Sequence, residues 1–216
     1  MNVTSIVFVQ HAQQQRASGD PGLTKTGRLQ AADVGERLAE FNWDVLISSP
    51  LVRARSTAEI IGDICAIPVL VDARLRERMN WGDCVSQPFD EFFVEWTHAN
   101  TDRAWTPRSG ESSFATGERC IELCNDLAAD DAISRALLVT HGGVTVDALR
   151  TIFSDDQLRL FAPTIIDDGI PACALTSLHH VGDTWSAPSI AQRTFHVAPG
   201  PAVQVAEIPR TDRKRS

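Results

Sequence analysis

Lysine is nearly missing from this chain of 216 residues: 18 of its 20 basic side chains are arginine, set against 28 acidic ones for a formal charge of −8. So little positive charge argues against a nucleic-acid binder, which needs a basic face to neutralise phosphates. The basic residues are also unevenly placed. Residues 207–216 carry +4 and −2, which leaves −10 on the other 206. A site for an anion in that body must be a local exception to the overall field. Long apolar runs are lacking too; no stretch approaches about 18 uninterrupted apolar residues, so no membrane-spanning helix is predicted. The opening MNVTSIVFVQHAQQQ has no basic n-region and an apolar run only of strand length, and it does not read as a signal peptide. The five cysteines (Cys65, Cys84, Cys120, Cys124, Cys173) are odd in number and contain no CxxC pair, which fits a cytoplasmic protein with reduced thiols. Cys120 and Cys124 stand four apart in a helical pattern and read as small core side chains. Metal spacings such as HExxH are absent, so no metal or other cofactor is expected. There is no internal repeat and no interdomain linker.

What is present is ordinary globular composition, 43% apolar and 22% charged, at a length that suits one domain. Short apolar, β-branched runs predict strands at Ser5–Val9, Asp44–Ser48, Pro68–Val71 and Ala136–Thr140. Between the first two lies Thr26–Phe41, with Ala31, Val34, Leu38 and Phe41 along one helical face. Helices are also predicted over Leu51–Ile64, Ser113–Ala129 and Val144–Phe153. Strands alternating with helices imply an α/β fold whose mainly parallel sheet is covered on both faces. Ala174–Val181 and Ile190–Val197, joined by GDTWSAPS, read as a late, antiparallel strand pair. Residues 79–112 break the rhythm with Trp81, Trp96, Trp105, Phe89, Phe92 and Phe93 among polar residues. Such an insertion either caps a site or packs its aromatics on the main core. One domain is expected over 1–205, followed by a basic, frayed tail at 206–216.

Ligands of open parallel sheets bind beyond the carboxyl ends of the strands. There the chain places Gln10-His11, then Ser48-Ser49-Pro50-Leu51 with Arg53 and Arg55, then Arg74 to Arg78 around Glu77, then His141-Gly142-Gly143 opening a helix. Two histidines, a carboxylate and several arginines from distant positions suit phosphoryl transfer through histidine. A neutral imidazole is a competent nucleophile near pH 7. Arginine forks and helix N-terminal N–H groups can hold the transferred group's oxygens. A carboxylic acid beside the leaving oxygen can supply its proton. His98, His179 and His180 read as structural or surface residues, and Arg76 and Arg78 as partners of acids. Arg103 and Arg108 in the cap suggest a partly apolar, anionic substrate.

The segments VFVQHA, LTKTGRLQA, SSPLVRARSTA, LRE and VTHGG, in this order and spacing, resemble the histidine phosphatase superfamily, also called phosphoglycerate mutase-like. The resemblance implies a three-layer α/β/α sandwich around a mainly parallel mixed sheet, with the cap at 79–112. Carried over by position, it makes His11 the nucleophile, Glu77 the general acid/base and His141 the second pocket histidine. Arg53, with Gly142 and the residue at position 10, would hold the phosphate. The family's first motif normally reads Arg-His-Gly, whereas this chain has Gln10-His11-Ala12. Gln10 lacks the fixed charge and the fork of an arginine, and Arg16 and Arg55 are the candidates to replace it. The expected activity is metal-independent hydrolysis of a small phosphorylated substrate, slowed by Gln10. The alternatives are a degenerate member that binds an anionic ligand without turnover and, less favoured because the cap is short, a mutase. A homodimer is the one protein partnership kept open.

Overall fold

Successive side chains of a strand point to opposite faces, so a strand buried on both faces must be apolar at every position. The centre of the first strand, Ile6–Val9, meets that condition. Ile6 and Phe8 enter one buried cluster, while Val7 and Val9 enter the other. The computed structural model describes residues 3–193 and the backbone of 203–204. The basic tail and the end of the predicted last strand, Phe195–Val197, lie outside the described residues.

The elements in chain order are β1 Val3–Gln10, α1 Lys25–Leu38, β2 Val45–Ser48, α2 Val52–Cys65, β3 Val69–Val71, a 3-10 turn Ala73–Leu75, α3 Phe89–Thr101 and α4 Ser113–Ala129. There follow β4 Arg135–Thr140, α5 Gly142–Ile152, α6 Asp155–Phe161, α7 Ile165–Asp168, β5 Leu175–Val181, β6 Thr184–Gln192 and β7 Val203–Gln204. The sheet order is β3-β2-β4-β1-β5-β6-β7. The first four strands in that order run parallel, and β5, β6 and β7 extend the sheet antiparallel.

Helices α1 and α2 cover one face, packing on Val7, Val9, Leu46, Leu137 and Val139. The opposite face, with Ile6, Phe8, Ile47, Ala136 and Leu138, lies under α4, α5, α6 and α7. The fold is therefore a three-layer α/β sandwich. Cys120 and Cys124 of α4 are buried in that second cluster.

Three boundaries differ from the sequence expectation. Helix α1 stops at Leu38, because Ala39 caps it and Phe41 N–H turns back to Leu38 O at 3.1 Å; Phe41 instead sits edge-on to Trp43. The predicted joint GDTWSAPS is mostly strand, since only Gly182 and Asp183 turn and β6 already begins at Thr184. Trp185 and Ala187 of that stretch are buried in the core, which the loop-like residues around them concealed. The cap holds a helix, α3, whose Phe89, Phe92, Phe93 and Trp96 follow helical spacing.

At Gly117 helices α4 and α5 approach too closely for a side chain. A Cβ there would lie 2.5 Å from Asp147 O in the α5 backbone. Gly117→Ala is expected to push the helices apart and cost about 1–3 kcal/mol, measurable as a lower urea midpoint with unchanged m-value.

Candidate functional site

The site begins with strand register. In the parallel β1–β4 pair Gln10 faces Thr140, and His11 N–H continues the ladder to Thr140 O at 3.0 Å. The next residues, His11 and His141, therefore emerge side by side, with ring centroids 5.2 Å apart and edge-to-face. β2, the other neighbour of β4, leads through Ser49 into α2, whose first turn carries Arg53. Beyond β3 the 3-10 turn brings Glu77 to the same edge, held by N–H donors: Arg78 N to Oε1 at 3.0 Å and Gly143 N to Oε2 at 3.2 Å. Gly143 must lack a side chain, because a Cβ there would collide with the Glu77 carboxylate and lie 2.8 Å from Trp96.

His11 Nδ1 lies 2.8 Å from Ala12 O. A carbonyl only accepts, so Nδ1 carries the hydrogen and Nε2 keeps a free lone pair. Removal from water, reinforced by the charge of Arg53, pushes the His11 pKa down to about 3. His141 is completely buried and its Nε2 lies 2.7 Å from Ser49 Oγ. Burial, then the charge of Arg53, holds its pKa well below the usual imidazole range. Ser49 Oγ also accepts Leu51 N–H at 3.3 Å, and in the tautomer in which it gives its own hydrogen to Nε2, His141 Nδ1 is the N–H bearer. That Nδ1 and Arg53 Nε are both buried without a protein partner. Two unpaired buried donors beside a neutral imidazole fit an oxyanion. Burial raises the Glu77 pKa, against the opposing charges of Arg78 and Arg53. The carboxyl thus keeps its proton to higher pH than an exposed glutamate does.

Two chambers meet at Glu77 and Trp96, each of which lines both. The first, about 270 Å³, opens over His11 and Arg53 and is walled by Met79, Trp81, Phe89, Phe92, Phe93 and Trp96. The second, about 230 Å³, includes Gln10, Asn100, Gly142, Asp167 and Asp168. Gln10 is 9% exposed and its Oε1 has no hydrogen-bond partner. It belongs to the second chamber and is absent from the first.

The structure thus brings His11, Arg53, Glu77, His141, Gly142 and Gln10 to one edge of the sheet. It does not bring in the two candidate substitutes for a motif arginine. Arg55 is exposed and faces Glu59 at 3.5 Å, Arg16 is exposed, and neither lines a chamber. Nor do Arg103 and Arg108 face a ligand. Arg103 bonds Arg150 O at 2.6 Å and lies over the Phe114 ring, while Arg108 pairs with Glu91 and Glu95 of the cap helix itself. Their charges are spent on backbone oxygens and carboxylates, so the two arginines lend no support to the anionic substrate inferred from their presence. His98 is exposed and stacks on Trp105, and His180 on Trp185.

Several site residues escaped the sequence reading. Ser49 stood at a strand end without an assigned partner. Asn80 and Asp20, 2.9 and 3.9 Å from Arg53 Nη1, carried no signal at all. Thr57 bonds back to Arg53 O at 2.8 Å and accepts Ala12 N–H at 3.0 Å, tying α2 to the loop after His11. Arg78 is 1% exposed, sits 3.0 Å from both Asp147 oxygens, bonds Asn100 of α3 and lies 4.1 Å from the Trp96 ring centroid. It fastens the cap helix to α5 beside Glu77.

Asp147→Ala is expected to cost about 3–5 kcal/mol by stranding the Arg78 charge in the core. The double replacement Arg78→Met with Asp147→Leu should cost less, and urea unfolding of the three proteins measures both.

Comparison with known proteins agrees with this geometry. The profile of the histidine phosphatase superfamily (branch 1) matches residues 6–192. The chain is 35% identical over 197 residues to a protein named uncharacterized phosphatase PhoE of Bacillus subtilis, covering 85% of this chain and 92% of that one. It is 30% identical over 184 residues to a protein named probable phosphoglycerate mutase GpmB of Erwinia tasmaniensis, covering 82% and 81%. Among solved structures, a mycobacterial glucosyl-3-phosphoglycerate phosphatase complexed with VO3 superposes with a TM-score of 0.68 at 26% identity, covering 88% of this chain and 99% of that one. With the matched profile spanning nearly all the described residues, the chain belongs to the histidine phosphatase superfamily and is an enzyme of the phosphatase type.

Proposed function

We propose that the protein hydrolyses phosphomonoesters through a phosphohistidine at His11. The observation that carries this reading is the neutral imidazole of His11, with Nδ1 held by Ala12 O and Nε2 free, beside two unpaired buried donors and a carboxyl that holds its proton.

His11 Nε2 attacks phosphorus as the bond to the ester oxygen breaks, and the departing oxygen takes the Glu77 proton. Water then attacks the phosphohistidine while the Glu77 carboxylate takes a proton from it. Phosphate leaves, and His11 and Glu77 return to their starting states. Arg53, His141 Nδ1 and the N–H of Gly142 at the start of α5 donate to the phosphoryl oxygens, where negative charge is concentrated. Ser49 and Thr57 act through these groups, as positioning residues.

Gln10 sets the rate. It offers a neutral amide in place of the motif's charged fork. A hydrogen bond to a charged group is worth about 1.5–3 kcal/mol, so one made in the transition state is worth about 10- to 150-fold in rate. The same unpaired amide favours a second reading, a protein that binds the phosphorylated ligand without turning it over. Gln10→Arg separates the two. A slow wild type that the substitution accelerates about 10- to 150-fold is a hydrolase. A wild type no faster than His11→Ala, beside an active Gln10→Arg, is a binder.

The two pKa shifts predict the pH dependence. His11 stays neutral down to about pH 3, so no acid limb arises near the ordinary imidazole value. Glu77 must start protonated, so kcat/KM for an alkyl phosphate falls as pH rises through its raised pKa. Glu77→Gln cannot give a proton and is expected to lose about 10²- to 10⁴-fold together with that alkaline limb. The ratio of the two profiles from about pH 4 to 9 cancels the ester's own ionisation.

A further inference from the structure

We infer that the site selects phosphomonoesters of apolar, uncharged alcohols and discriminates against alcohols that carry a carboxylate. This rests on the phosphoryl group sitting at His11 and deepens that reading by naming the substrate class.

A carboxylate leaving water for a site needs a cationic partner or several N–H donors. The arginines that line or back the two chambers are largely engaged, and Arg16, beside the first chamber's Gln14 and Ala17, is exposed to solvent. Arg53 belongs to the phosphoryl position and has Nη1 on Asn80. Arg78 is sealed between Asp147, Asn100 and the Trp96 ring. Arg76 pairs with Asp83, and Arg103 and Arg108 are held by backbone oxygens and surface carboxylates.

The second chamber is worse still for an anion. Asp168 has no ion-pair partner among the described residues, Asp167 is paired with Arg159, and Gln10 adds an unpaired acceptor oxygen. A leaving group bearing a negative charge is therefore repelled on that side. The first chamber instead presents one thioether and five aromatic rings within reach of His11. Two of those rings, Phe89 and Phe93, are more than half exposed, which is costly surface unless something apolar covers it. A six- to ten-carbon alcohol fits a chamber of about 270 Å³ and packs against the wall formed by Phe92 and Trp96, a tilted ring pair with centroids 6.1 Å apart.

The test compares 2-phenylethyl phosphate with 3-phosphoglycerate. Both are esters of primary alcohols, so intrinsic leaving-group reactivity does not decide the outcome. The full-length protein is expected to show kcat/KM at least about tenfold higher for the phenylethyl ester. Phe93→Arg, which adds a cation to the rim of the aromatic chamber at an exposed position, should shrink that ratio by raising the value for 3-phosphoglycerate. Phe92→Ala should shrink it by lowering the value for the phenylethyl ester. Equal or better turnover of 3-phosphoglycerate by the wild type overturns the inference, as do variants that change both esters alike. If neither ester is hydrolysed faster than by His11→Ala, the hydrolase reading has failed separately. The selectivity is then read as the ratio of calorimetric Kd values for the same two esters, with tighter 3-phosphoglycerate binding overturning it.

Discussion

Parallel pairing of β1 with β4 is the contact on which the site depends. The register that sets Gln10 opposite Thr140 ends both strands at the same level, so His11 and His141 leave the sheet as neighbours although 130 positions separate them in the chain. A slip of one residue would send one imidazole to the opposite face of the sheet. The register is held because Ile6 and Phe8 must enter one core while Val7 and Val9 enter the other. Burial of those four side chains is thus what aligns the two rings.

A second constraint acts through charge. The chain carries few cations and an excess of acids, and its arginines are allotted accordingly. Arg53 lines the chamber over His11, while Arg78 enters the core against Asp147, which itself accepts a hydrogen bond from Ser113 Oγ at 2.5 Å. A buried pair of this kind does little for net stability compared with well-packed apolar residues, yet breaking it is expensive. Its geometric effect is more important here. Arg78 touches Trp96 and Asn100 on the cap helix and, through its backbone N–H, the Glu77 carboxylate. The wall between the chambers and one oxygen of the Glu77 carboxylate are therefore held by the same residue.

Much of this could be read from the chain. Strands β1, β2 and β4 were legible because two-sided burial demands continuous apolar runs, the edge strand β3 because it is a short β-branched run, and α4 because both its ends are marked by polar residues and its buried face repeats at helical spacing. The gathering of the motif residues was legible because each stands at or soon after the end of a strand that its apolar run announces. The cap helix was harder, since its aromatic stripe faces a chamber rather than a core and its other positions carry acids. Ser49, Asn80 and Asp20 were not legible as site residues, because a short polar side chain near a strand end looks the same whether it meets water or a catalytic group. The arginines of the cap misled for the same reason, their partners being backbone carbonyls and distant carboxylates that no local pattern announces.

By itself, then, the sequence determined the layered α/β architecture, the order of the parallel strands' motifs and the residue types gathered at their carboxyl edge. Those follow from local periodicity and from which side chains can do the chemistry. Only the tertiary structure decided which of many arginines remain free, which chamber Gln10 enters and what lines the space beside Glu77. Such questions turn on distances of a few ångströms between residues far apart in the chain, and on the cost of leaving a buried polar group without a partner.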